Sequence, residues 1–565
     1  MISDCFRARS QYLPYVGWAL LLCEVLFWRL GVPTFWDPDE AHYAETTREL
    51  IATGDWLAPY YNQEPFFDKP ILFHLLQAAA MWLFGATEFA ARLVPALAAL
   101  ALILTTYWLG LVLCSAEVGL VAGLLLTLSP GVVALSRYAI LDTLFTALLF
   151  GGGELVTVAA LRGPRRLQYP GFVLIGLATL TKGPLAVTLC GIAFVIATTC
   201  SAEARRRLGE LHWGGGIVIA VAIAAPWFLY MWGRFDSAFL KGYLLSENLV
   251  LFSKPVYGGQ PGWYHYLAVF AVGQLPWTGL LLGRGYDHVR GAASGRRSDT
   301  FDVLLWSWTA AVVGFFSFSA FKLDHYIFPA APAACLLCAR AWADLRAPES
   351  DRFTPGTRVG RRLIGPTLAL AGLAIGALMV ARLALPAAAL VGPSVLVIAG
   401  AVLTGRSLGS DRAGRHPRAL WMSLSAIAVT YAGLLVWVLP AFEQQKVVPD
   451  LARWVADRAS PTHRVATYRL NRCNPTFRFY VERHTIDIDT LHEAARFFDE
   501  PGPFYCAMVE QSYRELVARG APIEIAYGRD GMGATSGRAL WRQRHPATRF
   551  LIATRRAGTA PGRDQ

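Results

Sequence analysis

The feature that most constrains this chain is a series of apolar runs, each near the length that crosses a lipid bilayer. Within lipid, a segment must satisfy its own backbone polar groups, so runs of this kind fold as helices. The sequence therefore predicts a polytopic α-helical membrane protein. The thirteen predicted spans are 13–32, 91–113, 116–130, 136–160, 170–181, 184–201, 213–232, 263–283, 302–320, 326–345, 362–382, 384–404 and 418–440.

The composition supports a chain that contacts membrane lipids. Hydrophobic residues make up 55% of the 565 residues and charged residues only 16%, which is too little polar surface for a soluble protein of this length. The formal net charge of +12 raises the question of a nucleic-acid partner. The arginines, however, lie in short loops between apolar runs and form no continuous basic face, so nucleic acid is excluded as a partner.

The distribution of arginine predicts the orientation. If the N-terminus is cytoplasmic, every sizeable cytoplasmic loop carries several arginines, as the positive-inside rule requires. These residues are Arg162, Arg165 and Arg166; Arg205, Arg206 and Arg207; Arg290, Arg296 and Arg297; Arg352, Arg358, Arg361 and Arg362; and Arg406, Arg412, Arg415 and Arg418. A span over the apolar residues 71–86 would break this pattern, so we predict an interfacial or re-entrant segment there.

An odd number of spans puts the C-terminus on the extracytoplasmic side. Residues 441–565 are mixed in character, with strand-like stretches at 464–468 and 477–481, and they predict a small periplasmic α/β domain. The expected organisation is a transmembrane catalytic domain over 1–440, with periplasmic loop helices within 33–90, followed by this domain. Cys473 and Cys506 are the two cysteines of the C-terminal region, and whether they form a disulfide is left open at this point.

The first outer loop contains the candidate catalytic residue. Asp37 fits a helix N-cap, Pro38 the first helical position and Glu40 the acid of a capping box. Asp39 is not needed for the cap. We therefore expect Asp39 to be the catalytic carboxylate, whereas Asp37 and Glu40 serve mainly as capping groups.

Four cations lie on the predicted outer side, where the positive-inside rule disfavours them. They are Lys69, Arg137, Lys182 and Lys322, each from a different loop. Their presence predicts an anion site, and a polyprenyl phosphate would supply the anion. Asp142 follows Arg137 by five residues, and we expect it to be a structural partner of a nearby cation.

A metal site is a further hypothesis. His265, with a carboxylate such as Asp68, is able to ligate a divalent metal. A histidine among aromatic residues at an interface is more often simply hydrogen-bonded there. No cofactor is otherwise indicated.

Several short motifs carry a resemblance to a known family. They are Asp39-Glu40, Tyr43-Ala44-Glu45, Gly54-Asp55-Trp56, Lys69-Pro70, Lys182-Gly183-Pro184 and Lys322 with Tyr326-Ile327-Phe328-Pro329. Together they resemble the GT-C glycosyltransferases related to protein O-mannosyltransferases. Within that group the chain is most similar to the bacterial lipid A 4-amino-4-deoxy-L-arabinose transferases. It departs from them at Asp68, where relatives often carry Glu, and at Ala320 before Phe321-Lys322, where Gly and another small residue are usual.

The resemblance implies a function. The donor would be undecaprenyl phosphate carrying 4-amino-4-deoxy-L-arabinose, the acceptor a lipid A phosphate, and the place the periplasmic face of the bacterial inner membrane. The product would lower the affinity of the membrane for cationic antimicrobial peptides such as polymyxin. Glu40, Tyr43 and Tyr326 are the expected substrate-binding residues, and the reaction is expected to invert the anomeric carbon.

This hypothesis requires Asp39 and the cations to converge at a cavity facing the periplasm. Two other functions stay open. A polyprenyl-phosphate-sugar-dependent protein O-glycosyltransferase would use the same donor class. A lipid-linked sugar transporter is less favoured, because transporters place their charged sites near the midplane and are built from internal repeats, and this sequence shows neither feature.

Overall fold

The computed structural model of the protein describes residues 13–254, 260–294, 299–346, 354–382, 385–409, 418–470, 473–531 and 548–556. Of the arginines that predict the orientation, Arg296, Arg297, Arg352, Arg412 and Arg415 lie outside these residues. The chain divides into two units. The first comprises Met1–Leu30, Phe67–Leu76 and Arg92–Trp437, and the second comprises Gly31–Phe66, Gln77–Ala91 and Val438–Gln565.

The described residues of the first unit form helices joined by turns and loops, and none of them is in a strand. Its α-helices are Ala116–Thr127, Pro130–Leu135, Asp142–Arg162, Gln168–Lys182, Leu185–Cys200, Ala202–Gly209, Trp213–Phe239, Leu251–Ser253, His265–Gly273, Thr278–Ala293, Thr300–Phe318, Ala331–Arg346, Pro355–Arg362, Ile364–Arg382, Val391–Gly409 and Arg418–Gly433. An apolar helix over Leu13–Phe27 precedes them, and most of helix Glu88–Leu113 also belongs to this unit. Short 3-10 or π segments are Arg165–Leu167, Leu240–Val250, Asp324–Ala330, Ala387–Leu390 and Leu434–Val438.

The structure confirms a multi-pass membrane protein, because a helix overlaps each predicted span. Among the described residues, eight helices are long and apolar enough to cross a membrane: Glu88–Leu113, Asp142–Arg162, Trp213–Ser253, Thr300–Phe318, Asp324–Arg346, Pro355–Ala381, Ala387–Ser407 and Ala419–Glu443. A ninth is formed if His265–Gly273 and Thr278–Ala293, which are bent by 113°, act as one span. Pro276 lies in that break, where its missing N–H interrupts the helical bonds.

The other four predicted spans overlap shorter helices, which are Leu13–Phe27, Ala116–Thr127, Gln168–Lys182 and Leu185–Cys200. The shortest has 12 residues. At 1.5 Å per residue it reaches roughly 18 Å, against a hydrocarbon core of about 30 Å. A total of thirteen crossings therefore stays a prediction.

Small residues allow close helix contacts in the first unit. A methyl group on Gly360 would lie 2.1 Å from the carbonyl oxygen of Gly279, and one on Gly110 would lie 2.7 Å from Cα of Gly119. Backbones that approach this closely exclude any side chain at the contact, which is typical of helix packing in lipid.

The second unit contains a mixed sheet and its covering helices. Its helices are Asp39–Thr53, most of Leu72–Phe84, Leu439–Glu443, Val448–Ala456, Asn474–Val481, Leu491–Asp499 and Glu510–Ala518. Its strands are β1 (Tyr60–Tyr61), β2 (Glu64–Pro65), β3 (Arg464–Tyr468), β4 (Ile486–Ile488), β5 (Phe504–Val509), β6 (Ile523–Gly531) and β7 (Thr548–Arg555).

The five strands from the C-terminal part are arranged in the order β4-β3-β5-β7-β6. β3 pairs in parallel with β4 and β5, whereas β7 pairs antiparallel with β5 and β6. A buried apolar cluster that includes Phe498, Phe504 and Met508 covers this sheet. The predicted α/β character is therefore confirmed for the described residues of this region.

The sequence left two local features of the C-terminal region to the structure, a strand at 477–481 and a disulfide between Cys473 and Cys506. The strand predicted at 477–481 is wrong, because these residues end helix Asn474–Val481, in which Phe477 is fully buried. β-type residues in one buried helical turn cannot be told from a short strand by pattern alone. Neither Cys473 nor Cys506 is joined in a disulfide, so the bond left open by the sequence does not form.

The second unit also includes much of the predicted first outer loop. The sequence assigns residues 33–90 to the transmembrane domain, whereas the structure groups Gly31–Phe66 and Gln77–Ala91 with the C-terminal segment. Helix Asp39–Thr53 packs against helix Asn474–Val481 within this unit. Contacts between residues more than 400 positions apart leave no periodic signal in the sequence, so this grouping was not predicted.

Candidate functional site

Asp39 is the first residue of helix Asp39–Thr53 and is partly exposed. The predicted cap is wrong. Pro38, and not Asp37, occupies the N-cap position, and it makes no side-chain cap bond. Glu40 is fully buried, and its carboxylate still accepts the N–H of Trp36 at 2.9 Å. In a capping box, Glu40 would accept the N–H of Asp37. Here its carboxylate reaches one residue further back, to the N–H of Trp36.

The carboxylate of Asp37 is used elsewhere in the second unit. It accepts the hydroxyl of Thr476 at 2.5 Å. Burial raises the pKa of Asp37 to about 7, against the opposing effects of the Thr476 hydroxyl, the Lys446 ammonium and the Cys473 thiol. Asp37 therefore changes charge near neutral pH, two positions before the candidate catalytic carboxylate in the chain.

Lys69 lies in the first unit, and its ammonium has two partners. The Nζ atom is 3.1 Å from the carboxylate of Glu247 and donates to the backbone carbonyl of Asp68 at 2.9 Å. Burial raises the pKa of the Asp68 carboxyl, and Lys69 opposes this effect. The sequence assigned no role to Glu247, because an acid 178 residues away along the chain has no signal that would connect it with Lys69.

Lys182 belongs to a buried polar cluster in the same unit. Its Nζ atom is 2.5 Å from the carboxylate of Asp142, and His325 lies 3.8 Å from the other oxygen of that carboxylate. The ammonium is also 4.6 Å from the centre of the Tyr326 ring, a distance suited to a cation–π contact. Asp142 is thus confirmed as the structural partner of a cation.

The positive charge of Lys69 is felt by the residues of this cluster. Its charge acts on both Asp142 and Lys182, so these groups lie close enough to influence one another. The structure therefore brings together two of the four predicted cations, and it adds Glu247 and His325 to them. An arrangement of two ammonium groups with two carboxylates can admit a phosphate by exchanging one carboxylate partner.

The other two predicted cations are used to satisfy backbone carbonyls. Arg137 donates to the carbonyls of Val25 and Trp28 at 3.1 and 2.8 Å, at the end of the first helix. Lys322 donates to the carbonyl of Ser319, and burial lowers its pKa. Phosphate binding by Arg137 and Lys322 stays a prediction.

The structure gives His265 a different partner from the predicted Asp68. The Nε2 atom of His265 is 3.0 Å from the carboxylate of Asp324. In the part of the chain that the structure describes, no three or more His, Cys, Asp or Glu residues are grouped to hold a metal ion. A metal held by Asp68 and His265 stays a prediction.

The predicted site residues divide between the two units. Asp39, Glu40 and Tyr43 belong to the second unit. The four cations, together with Tyr326, Asp68 and His265, belong to the first unit. Convergence of the two groups at one cavity stays a prediction.

The chain is similar to known proteins both in sequence and in structure. Residues 16–236 match the family model described as dolichyl-phosphate-mannose-protein mannosyltransferase. The undecaprenyl phosphate-alpha-4-amino-4-deoxy-L-arabinose arabinosyl transferase of Edwardsiella ictaluri (strain 93-146) is 30% identical over 332 residues, which cover 57% of this chain and 58% of that protein. The protein of the same name from Pectobacterium carotovorum subsp. carotovorum (strain PC1) is 33% identical over 355 residues, covering 60% of this chain and 61% of that protein.

The chain thus matches about three fifths of the length of these curated relatives. Among solved structures, the crystal structure of ArnT from Cupriavidus metallidurans bound to undecaprenyl phosphate has a TM-score of 0.73 at 20% identity, with 96% of this chain and 98% of that chain covered. The resemblance derived from the sequence motifs is therefore confirmed: the chain is similar to the protein mannosyltransferase family and to bacterial aminoarabinosyl transferases, and it has their GT-C fold.

Proposed function

We propose that this protein transfers 4-amino-4-deoxy-L-arabinose from undecaprenyl phosphate to a phosphate of lipid A, on the periplasmic face of the bacterial inner membrane. The observation that carries the proposal is the position of the family match. Residues 16–236 contain the candidate carboxylate Asp39 and the cations Lys69, Arg137 and Lys182. The relatives of similar sequence are named for this donor and sugar.

The leaving group of such a reaction is a lipid phosphate, and its departure requires positive charge in a site of reduced dielectric. Lys69 is suited to this role because it is partly exposed and is held by Glu247 and a backbone carbonyl. An incoming phosphate can replace these weaker partners. Lys182 adds a second positive charge nearby, although the buried Asp142 neutralises much of it.

The role of Asp39 depends on the acceptor. A phosphate acceptor has a second pKa of about 6 and needs no general base at neutral pH. Asp39 then positions the acceptor or binds the ammonium group of the sugar. A hydroxyl acceptor would instead require the carboxylate as a general base. With one carboxylate candidate and no separate nucleophile, a single inverting displacement at the anomeric carbon is the simplest mechanism.

The proposal includes an orientation. The N-terminus lies in the cytoplasm and the C-terminal α/β region in the periplasm, as the loop arginines indicate. The C-terminal domain boundary is placed after residue 440. Modified lipid A carries less negative charge, and cells that make it resist cationic peptides such as polymyxin.

The test is transfer by the full-length protein in liposomes that contain lipid A and the lipid-linked sugar, followed by mass spectrometry of lipid A. Wild type is expected to add the mass of one aminoarabinose residue. Asp39→Asn and Lys69→Ala are each expected to reduce the rate at least about 100-fold, as is typical when an electrostatic group is removed from a transition state. Matched controls are Asp457→Asn and Lys241→Ala, since both side chains are exposed and lie in the same respective units.

Unmodified lipid A with the wild-type protein would contradict the proposal. The description of the matching family favours one second candidate, a protein O-glycosyltransferase that uses a polyprenyl-phosphate sugar. A mass shift on a secreted protein, with lipid A unchanged, would identify that function. Movement of the labelled lipid across the bilayer with no covalent change would identify a transporter.

A further inference from the structure

The segment immediately before Asp39 is held by side chains from the C-terminal region. Residues 34–36 have no regular secondary structure, so their backbone groups need other partners. Lys446 donates from Nζ to the carbonyls of Thr34 and Phe35 at 2.7 and 3.2 Å. The hydroxyl of Tyr480 accepts the N–H of Phe35 at 3.0 Å.

The bond from Thr476 to Asp37 completes this set at the residue two positions before Asp39. We call Lys446, Thr476 and Tyr480 the anchor residues. Each anchor residue is buried, with 6%, 1% and 8% of its surface exposed, respectively. Bonds of this kind compete poorly with water when exposed, but burial makes each one costly to break.

Lys446 is the most informative of the anchor residues. A buried ammonium is expensive unless it is fully paired. This ammonium is used on two carbonyls of the segment, and it also lies 3.8 Å from the centre of the Trp36 ring. The Nζ atom also lies 3.2 Å from the carboxylate of Glu443. Its other named partners all belong to residues 34–36, so the position of the charge fixes the path of the backbone that leads to helix Asp39–Thr53.

We propose that the anchor residues are positioning residues for Asp39. They act through the backbone of residues 34–37, and none of them needs to touch a substrate. The inference rests on the catalytic role proposed for Asp39. Displacement of a reacting or binding group by about 1 Å can lower a rate on the order of 100-fold, so a segment fixed by buried bonds to a packed helix is a physical means of keeping that carboxylate in place.

The same unit offers matched controls for a purely structural effect. Thr467 is as buried as Thr476, and its hydroxyl likewise donates to a carboxylate, that of Asp487, at 3.0 Å. Tyr468 is fully buried, and its hydroxyl makes no hydrogen bond to any described residue. Thr467→Val therefore removes a hydrogen-bonded hydroxyl like that of Thr476, away from residues 34–37. Tyr468→Phe removes a buried tyrosine hydroxyl without breaking a hydrogen bond to a described residue.

The experiment uses the full-length protein in the liposome assay, with kcat and the KM for the lipid-linked sugar measured separately. Thr476→Val and Tyr480→Phe are each expected to lower kcat about tenfold or more and to change KM less than about threefold, because donor binding is retained while the reacting geometry is lost. Thr476→Ser keeps the hydroxyl and is expected to restore kcat to within about threefold of wild type.

The control variants separate positioning from general stability. Thr467→Val is expected to lower the thermal midpoint as much as Thr476→Val, yet to keep kcat within about twofold of wild type. Equal kcat values for Thr476→Val and Thr467→Val would overturn the inference, as would losses that follow the thermal midpoint in all variants.

Failure of the inference is distinguishable from failure of the proposed function. If Asp39→Asn is inactive but Thr476→Val and Tyr480→Phe react at the wild-type rate, only the positioning role is wrong. If Asp39→Asn itself reacts at the wild-type rate, the catalytic role of Asp39 is wrong, and the positioning role fails with it.

Discussion

Asp37 makes the stability of its surroundings depend on pH, and the substitution Asp37→Asn measures this dependence. The native pKa of Asp37 is about 7, against 3.8 for the ordinary carboxyl, and burial is the main cause. The native state therefore binds the proton more tightly than the locally opened state. The corresponding stability is fully present below pH 3.8 and is lost as the pH rises through about 7.

The magnitude follows from the part of this range that is accessible to experiment. Between pH 5 and pH 8 the native carboxyl loses nearly all of its proton, and at 1.36 kcal/mol per pH unit of pKa difference the stability lost over this range is about 2.6 kcal/mol. Local opening around residues 34–37 should thus be on the order of 100-fold more frequent at pH 8 than at pH 5. Asn at this position still accepts the Thr476 hydroxyl and carries no charge at either pH.

Hydrogen exchange with mass spectrometry provides the assay, after correction for the intrinsic pH dependence of exchange. The amides of Thr34, Phe35 and Trp36 each donate to a side chain and report the opening of this segment. We expect their protection to fall steeply with pH in wild type and much less in Asp37→Asn, while protection in β5 is the same in both proteins. An equal pH dependence in the two proteins would refute a raised pKa at Asp37.

Three further predictions concern other parts of the chain. Lys182→Met alone should destabilise the protein by about 3–5 kcal/mol, because the buried carboxylate of Asp142 loses its ammonium partner. In a thermal-shift assay, the double variant with Asp142→Asn should recover much of this loss. Cys473 and Cys506 should react with an alkylating reagent in denaturant without any reductant, because no disulfide joins them. Burial raises the pKa of both thiols and should keep them unreactive in the native protein, and a pair that alkylates only after reduction would show that the disulfide forms. Gly183→Ala should lower the thermal midpoint, because Gly183 has φ of 81° and a tyrosine hydroxyl fills the space for a methyl group. The backbone strain costs about 1–3 kcal/mol, and an unchanged midpoint would contradict this prediction.

The site illustrates which kinds of residue could be predicted from the sequence. Lys69 and Lys182 were found because cations on the outer side break a charge rule that is visible along the chain. Asp142 was correctly identified as a partner, since a carboxylate in an apolar helix needs a cation. Glu247 and His325 had no assigned role, because each becomes informative only through a partner that is distant in sequence.

The cap at the start of helix Asp39–Thr53 shows the opposite case. The residues Asp37, Pro38 and Glu40 satisfy the local rules for a capping box, and the prediction was nevertheless wrong. Local hydrogen bonds of this type contribute only about 1 kcal/mol. A buried hydroxyl from Thr476 offered Asp37 a better partner, and that partner is invisible to any local rule.

What the sequence determined by itself was the class of molecule. Apolar runs of bilayer length, interrupted by arginine-rich loops, leave few alternatives to a multi-pass helical protein, because lipid provides no partners for backbone polar groups. The tertiary structure decided which charged groups are paired and that most of the first outer loop belongs with the C-terminal region. These outcomes depend on contacts between segments hundreds of residues apart, and the energy of such contacts arises only when burial removes the competing water.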